Sequence, residues 1–185
     1  MKYEFVDRNE LTENELSDLL TMRFHNCLGV PVHFVNEITI SPQKNGDWVD
    51  CMAAEGVVFP SKKFEPFKIP LGFSMKIPKG YEAHLAPRGS TFGRYGILQT
   101  NSVGIIDNSY SGTNDLWYMP VVSLGDVVGI NKGTRIAQFR FVPTMEKEMF
   151  NKPSNWRFYD EPTIIFIISE TLDDVDRGGF GSTGI

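Results

Sequence analysis

The chain has 185 residues and a mass of 20.9 kDa, a length that corresponds to about one domain. Apolar residues make up 41% and charged residues 22%, which excludes disordered, collagen-like and coiled-coil chains. The net charge of −5, with no block of like charges, disfavours nucleic-acid binding, although a few arginines and backbone N–H groups can still bind a small phosphorylated ligand.

The first predicted element is an amphipathic helix over about residues 13–26. Thr12 and Glu15 have the spacing of a capping box, in which each side chain bonds to the backbone N–H of the other residue. Apolar residues then recur at helical spacing: Leu16, Leu19, Leu20 and Phe24.

Most of the remaining chain consists of short runs rich in β-branched and aromatic residues, separated by glycine and proline. The predicted strands are residues 30–35, 56–59, 67–71, 82–86, 95–99, 116–122 and 135–142. Because the connections are too short for helical crossovers, the strands are predicted to pair antiparallel, as in an all-β sandwich or jelly roll. We expect one β domain over residues 1–175, with an insertion at about 144–160.

Neither a membrane segment nor a metal site built by the protein is expected. The longest apolar run, residues 164–168, is far shorter than the roughly 18 residues of a membrane helix, and residues 1–7 lack a signal-peptide core. Cys27 and Cys51 form no C-x-x-C pair, and the histidines lack metal-ligand spacing. These features predict a cytoplasmic protein with free thiols and no membrane partner.

The last ten residues, 176–185, are predicted to form a mobile glycine-rich arm that binds phosphate. Residues 179–184 match G-x-G-x-x-G, but no helix can follow them, so dinucleotide binding is excluded. Arg177 can bind a phosphate through two N–H groups, and Phe180 can stack on a ring. The alternative is an ordinary frayed terminus.

Three internal clusters also suit a nucleotide. Arg88, in a Pro-Arg turn, is placed to bind a phosphate. The alternative is that this turn is an ordinary charged surface turn. Asp107 beside Tyr110 suits a base that orders water near a stacked ring, or a hairpin with a turn-capping aspartate. Arg135 and Gln138 face opposite sides of a regular strand, so they can bind one ligand only through a β-bulge or between subunits; otherwise they are ordinary exposed residues.

Five segments follow one another along the chain: GDWVDCMAAE (46–55), PRGS (87–90), GIIDNSYSG (104–112), RIAQ (135–138) and RGGFGSTG (177–184). Together and in this order they resemble the signature motifs of the trimeric deoxyuridine triphosphate nucleotidohydrolases (dUTPases), particularly those of Gram-positive bacteria and their phages. The resemblance spans about residues 44–143 and 172–185, which leaves the helix and the 144–160 insertion outside. It implies jelly-roll β-barrel subunits that form homotrimers with shared active sites.

The resemblance also implies a reaction, the Mg²⁺-dependent hydrolysis of dUTP to dUMP and pyrophosphate. Asp107 would activate the water that attacks the α-phosphorus, Tyr110 would pack on the deoxyribose and exclude a 2′-hydroxyl, and Phe180 would close over uracil. The uracil edge would be read by Asn101 and by backbone groups of the third motif, including Gly104 and Ile106. The residues implied in phosphate binding and catalysis are Arg88, Ser90, Gln138, Arg177, Gly181, Ser182 and Thr183. The triphosphate and water would hold Mg²⁺, with Asp50 supporting that region from the outer shell.

One departure from the family pattern concerns the second motif. The family usually has serine directly after the arginine, whereas this chain has Gly89 there and Ser90 one place later. Either Ser90 substitutes after a local backbone shift, or the hydroxyl is missing and turnover is impaired.

Two alternative functions remain open on the sequence. The related dCTP deaminases share the fold but use a glutamate shortly after the third motif, where this chain has only the shorter acid Asp115. The other alternative is a nucleotide-binding trimer with weak catalysis and a regulatory role.

Overall fold

The computed structural model describes residues 2–20, 27–43, 46–145 and 163–179. The strands in these ranges are Lys2–Asp7 (β1), Cys27–Phe34 (β2), Ile40–Pro42 (β3), Val49–Met52 (β4), Val57–Val58 (β5), Pro66–Pro70 (β6), Phe73–Met75 (β7), Tyr81–Pro87 (β8), Ile97–Gln99 (β9), Gly104–Ile106 (β10), Tyr118–Ser123 (β11), Gly129–Ile130 (β12), Arg135–Pro143 (β13) and Thr163–Ile168 (β14). The α-helices are Glu13–Leu20 (α1) and Thr91–Tyr95 (α2), and Arg8–Glu10 forms a 3₁₀ turn. This composition confirms the predicted all-β class.

The strands form four sheets. Their orders are β1-β14-β2-β7, β10-β8-β13-β4-β3, β6-β11-β9 and β12-β5. The inward faces pack into one main core, in which the Trp117 ring lies 4.9 Å from Phe73 and 5.2 Å from Phe139 between centroids. All three side chains are essentially buried. The core therefore joins residues from β7, β13 and the segment just before β11.

The predicted strands all overlap observed strands, but two sequence predictions about them are wrong in part. Tyr95 ends α2 rather than beginning a strand, and Gly96 caps that helix with φ 62°. Strand β14 also pairs parallel with both β1 and β2, against the antiparallel prediction. The prediction assumed that paired strands are neighbours in sequence. Here nearly the whole domain separates β2 from β14, so no short helical crossover is needed.

The capping box at the start of α1 is confirmed. The Thr12 N–H donates to Glu15 Oε2 at 2.9 Å, and the Glu15 N–H donates to Thr12 Oγ1 at 3.3 Å. Leu19 on α1 packs against Ile165 and Ile167 of β14 in a second, smaller apolar cluster. The remainder of the predicted helix, residues 21–26, and residues 146–160 of the predicted insertion lie outside the described residues.

Within the described ranges, the helices are too short and too polar for any of them to cross a membrane.

Replacing Phe166 tests whether β14 is an integral core strand. Its side chain is fully buried, and its ring lies 5.3 Å from Phe5 and 6.4 Å from Phe139 between centroids. Phe166→Ala should therefore lower the free energy of unfolding by about 3–5 kcal/mol, measured by urea denaturation. Val175→Ala, at a site 89% exposed, is the control and should change it by less than about 0.5 kcal/mol. A loss below about 1 kcal/mol for Phe166→Ala would show that β14 is peripheral.

Candidate active site

A buried carboxylate organises the residues of the first, second and fourth motifs. Asp50 is 1% exposed, and it accepts hydrogen bonds from Arg88 Nε at 2.9 Å, Arg135 Nη1 at 3.3 Å and Gln43 Nε2 at 2.8 Å. A charge this deeply buried is tolerated only when it is paired and hydrogen bonded. Asp50 thus fixes the two guanidinium groups, and we call Gln43, Asp50, Arg88, Arg135 and Gln138 the arginine cluster.

A β-bulge brings Arg135 and Gln138 to this one cluster. The register of β13 against β4 shifts between Arg135, which pairs with Met52, and Ala137, which pairs with Cys51. Gln138 then lies opposite Asp50, the residue that Arg135 bonds. Of the two explanations that the sequence left open, the bulge is present within the single chain.

The turn after β8 holds the second-motif residues. The Arg88 N–H donates to the Ile136 carbonyl at 3.1 Å, which ties the turn to β13. Ser90 follows at the N-cap of α2, is exposed, and makes no capping hydrogen bond with its side chain. At Gly89 a Cβ would meet nothing within 4 Å. A residue with a side chain would therefore also fit at this position.

The third-motif residues line a separate pocket of about 240 Å³, which we call the tyrosine pocket. The predicted site residues in its wall are Asn101, Gly104, Ile106, Asp107, Tyr110 and Arg177. Leu85, Leu116, Trp117 and Tyr118 also line it and were not predicted from the sequence. Nothing in their spacing distinguishes these four from ordinary core residues. The predicted arm residues Phe180, Gly181, Ser182 and Thr183 lie outside the described residues.

Asp107 presents an ionised carboxylate to this pocket. Its side chain is 48% exposed, and its oxygens accept bonds from the Ser109 N–H at 2.8 Å, the Ser109 hydroxyl, and Arg177 Nη1 at 2.9 and 3.0 Å. Partial burial alone would raise the pKa of Asp107. The Ser109 and Arg177 bonds outweigh that effect and leave the pKa below its usual value. The carboxylate is therefore charged and able to accept a proton at neutral pH.

Tyr110 is held in one orientation in the pocket. The chain reverses between Asp107 and Tyr110, since the Tyr110 N–H donates to the Asp107 carbonyl at 3.2 Å, and the Tyr110 hydroxyl donates to the Leu116 carbonyl at 2.9 Å. Burial, followed by the nearby charges of Asp115, Tyr118 and Asp176, raises the pKa of Tyr110 to about 12. The hydroxyl stays protonated, and the ring offers a fixed apolar face.

Asp107 of the tyrosine pocket and Arg88 of the arginine cluster lie near opposite ends of β8. Ile106, next to Asp107, pairs with Ala83, whereas Arg88 directly follows the other end of the strand. At about 3.3 Å per residue, the strand from Ala83 to Arg88 is about 16 Å long.

In the parts of the chain that the structure describes, no group of three or more His, Cys, Asp or Glu side chains is arranged to hold a metal ion.

The sequence of the chain is similar to that of known proteins. A family model described as dUTPase matches residues 41–161. The SPbeta prophage-derived deoxyuridine 5'-triphosphate nucleotidohydrolase YosS of Bacillus subtilis is 42% identical over 145 residues, which cover 78% of this chain and 89% of YosS.

Two solved structures share the fold. The Streptococcus mutans dUTPase matches with a TM-score of 0.54 and 21% identity, and the match covers 61% of this chain and 94% of that protein. A mutant dUTPase from phage phi11 of S. aureus, which coordinates a structural Mg(II) ion, matches with a TM-score of 0.51 and 19% identity over 71% of this chain and 97% of its own.

Removing the Ser109 hydroxyl tests the electrostatics of Asp107. Because that hydroxyl donates to the ionised carboxylate, Ser109→Ala should raise the pKa of Asp107 toward its usual range. The pKa can be followed by ¹³C NMR of the side-chain carboxyl during a pH titration. Asn108→Ala, which removes a neighbouring exposed side chain, should leave it unchanged. An unchanged or lower pKa in Ser109→Ala would contradict this assignment.

Proposed function

The chain belongs to the dUTPase family, and we propose that it hydrolyses dUTP to dUMP and pyrophosphate with Asp107 as the general base. The observation that carries this proposal is the tyrosine pocket, where a charged, half-exposed carboxylate lies beside a fixed aromatic ring and an arginine. The carboxylate can activate a water nucleophile, the ring can pack on a deoxyribose, and the arginine can bind a phosphate.

The reaction is an in-line displacement at the α-phosphorus. Asp107 accepts a proton from water as the water oxygen forms a bond to phosphorus. The bond from the α-phosphorus to the bridging oxygen breaks, and pyrophosphate leaves with that oxygen. The hydrogen bonds from Ser109 orient the carboxylate. Arg177 can replace its hydrogen bond to Asp107 with one to a phosphate oxygen.

The nucleoside half of dUTP fits the remaining pocket wall. The Tyr110 ring, fixed through its hydroxyl bond to Leu116, would pack on the deoxyribose and leave no room for a 2′-hydroxyl. Gln99 Nε2 donates to Asn101 Oδ1 at 2.9 Å, which orients the Asn101 amide. Its NH₂ group is then a donor suited to a uracil carbonyl.

A complete site needs a second copy of the chain. Arg88 and Gln138 lie about 16 Å along β8 from the residues beside Asp107, so we infer that one chain does not apply both groups of residues to one triphosphate. We infer that the arginine cluster of one subunit faces the tyrosine pocket of the next, in a homotrimer. This arrangement gives the triphosphate two guanidinium groups already oriented by Asp50.

Mg²⁺ is assigned to the nucleotide and its waters, where it would neutralise charge on the phosphates during displacement. Asp50 does not fit the role of a direct ligand, because both of its oxygens already accept bonds from Arg88, Arg135 and Gln43. Its support for the metal-triphosphate region would be indirect, through the two arginines.

The dCTP deaminase alternative loses support from the position of Asp115. This acid, the only one shortly after the third motif, is 1% exposed and accepts three backbone N–H groups. A carboxylate so engaged is not available to exchange protons with a substrate.

Asp107→Asn tests the assignment of the base. The amide keeps the shape of the side chain but cannot accept a proton, so pyrophosphate release from dUTP should fall about 10²- to 10⁴-fold. Binding of a non-hydrolysable dUTP analogue, measured by calorimetry, should persist. Asp126→Asn, at an exposed acid, is the control. Turnover near that of the parent would identify the wrong base.

Mixing two inactive variants tests the shared site. Arg88→Ala chains retain Asp107, and Asp107→Asn chains retain Arg88, so trimers assembled from both should regain some intact sites. Random assembly should restore about a quarter of the parent turnover. Asp107→Asn mixed with a chain that carries both substitutions is the control and should stay inactive. No recovery in the first mixture would contradict a site shared between subunits.

Substitutions in the second motif test the role of Ser90. We propose that its hydroxyl, which makes no capping bond, contacts the phosphates in place of the family's usual serine. Ser90→Ala should then slow turnover about tenfold to a hundredfold, because a bond to a charged group is lost. Gly89→Ser, which the open space around Gly89 accommodates, should help little. A severalfold gain from Gly89→Ser, with little loss from Ser90→Ala, would show that the role is vacant.

A further inference from the structure

A seam of hydrogen bonds joins the loop after the third motif to residues 172–178, which we call the C-terminal strap. Thr113 Oγ1 accepts from the Leu172 N–H at 2.8 Å and donates to the Leu172 carbonyl at 3.0 Å. Further along, the Asn114 N–H donates to Asp176 Oδ1 at 2.8 Å. The strap is therefore attached to its own chain directly beside the tyrosine pocket.

Asp115 is the buried centre of this seam. Its side chain is 1% exposed, and it accepts from the Gly112 N–H at 3.0 Å, the Arg177 N–H at 2.8 Å and the Gly178 N–H at 2.7 Å. A buried carboxylate is costly unless its oxygens are bonded. Since the strap supplies two of these three donors, docking of the strap and satisfaction of Asp115 depend on each other.

The backbone held by Asp115 carries the groups that reach the pocket. The Arg177 guanidinium lies 2.9 Å from Asp107 Oδ2, and Gly179 lies against the Tyr110 ring, where an added Cβ would come within 3.1 Å of Cε2. Displacement of the strap backbone would thus move a phosphate-binding arginine away from the base and open the wall around Tyr110.

We propose that Asp115 is a positioning residue, which holds the strap so that Arg177 reaches the Asp107 site. Asp115 does not touch the base; it bonds the backbone N–H groups of Arg177 and Gly178, two residues of the pocket wall, and acts on the site through them. The inference rests on the proposed function, since it assigns Asp115 a role in that reaction.

The close fit at Gly112 provides a second way to move the strap. A Cβ at this position would lie 2.2 Å from Asp176 Oδ1 and 2.5 Å from Asp176 Cα, so alanine cannot be accommodated with the strap in place. Gly112→Ala leaves the Asp115 carboxylate and the Gly112 N–H intact. Its effect therefore reports on displacement of the strap alone.

The first test compares Asp115→Asn in two backgrounds. In the full chain, the substitution places an amide NH₂ against a strap N–H, and we expect kcat/KM for dUTP to fall about tenfold to a hundredfold. In a chain truncated after Asp176, neither strap donor remains, so the same substitution should change kcat/KM by less than about twofold. Equal losses in both backgrounds would overturn the proposal.

The second test does not depend on activity. Hydrogen exchange of the peptide spanning residues 171–179, measured by mass spectrometry without nucleotide, should be faster in both Asp115→Asn and Gly112→Ala than in the parent. Gly93→Ala, at a site where a Cβ meets nothing within 4 Å, and Asp126→Asn are controls that should match the parent. Unchanged exchange in both test variants would overturn the proposal, even if the parent proved inactive on dUTP. Inactivity of the parent with faster exchange in the variants would instead reject only the proposed function.

Discussion

The arrangement of the site depends on the pairing of β8 with two neighbours, β10 on one edge and β13 on the other. These ladders place Asp107 near one end of β8, and Arg88 directly follows the other end. Because the length of a strand is nearly fixed, no side-chain rearrangement within one chain can bring Asp107 and Arg88 together. In the proposed homotrimer, a second subunit would therefore complete the site, and strand register is the reason that it would be needed.

Three aspartates show how environment divides roles among identical side chains. Asp50 is bonded by two guanidinium groups and anchors Arg88 and Arg135. Asp115 is surrounded by backbone N–H groups and anchors a segment of chain. Asp107 alone combines charged partners with substantial exposure, so it can meet water and accept a proton. Burial and the type of donor, rather than the residue type, decide which of the three can act as a base.

Local sequence patterns predicted local features well. The capping box of Thr12 and Glu15, the strand runs and the bulge that was one of two ways to bring Arg135 and Gln138 to one ligand all depend on neighbouring residues, and the structure contains each of them. Features that join distant parts of the chain were not predictable in this way. The parallel pairing of β14 joins residues more than a hundred positions apart, and the bonds of Asp115 to the strap have no local signature. In the sequence Asp115 is only an acid near the third motif, and the role proposed for it rests on its burial and its backbone donors.

The most direct test of the account is a substrate comparison with the unmodified protein. Purified chain is incubated with Mg²⁺ and, separately, dUTP, UTP and dCTP, and both pyrophosphate and ammonia are assayed. We expect pyrophosphate from dUTP, little turnover of UTP because Tyr110 would crowd a 2′-hydroxyl, and no ammonia from dCTP. Ammonia from dCTP without pyrophosphate from dUTP would contradict the account, and equal turnover of UTP and dUTP would contradict the role given to Tyr110.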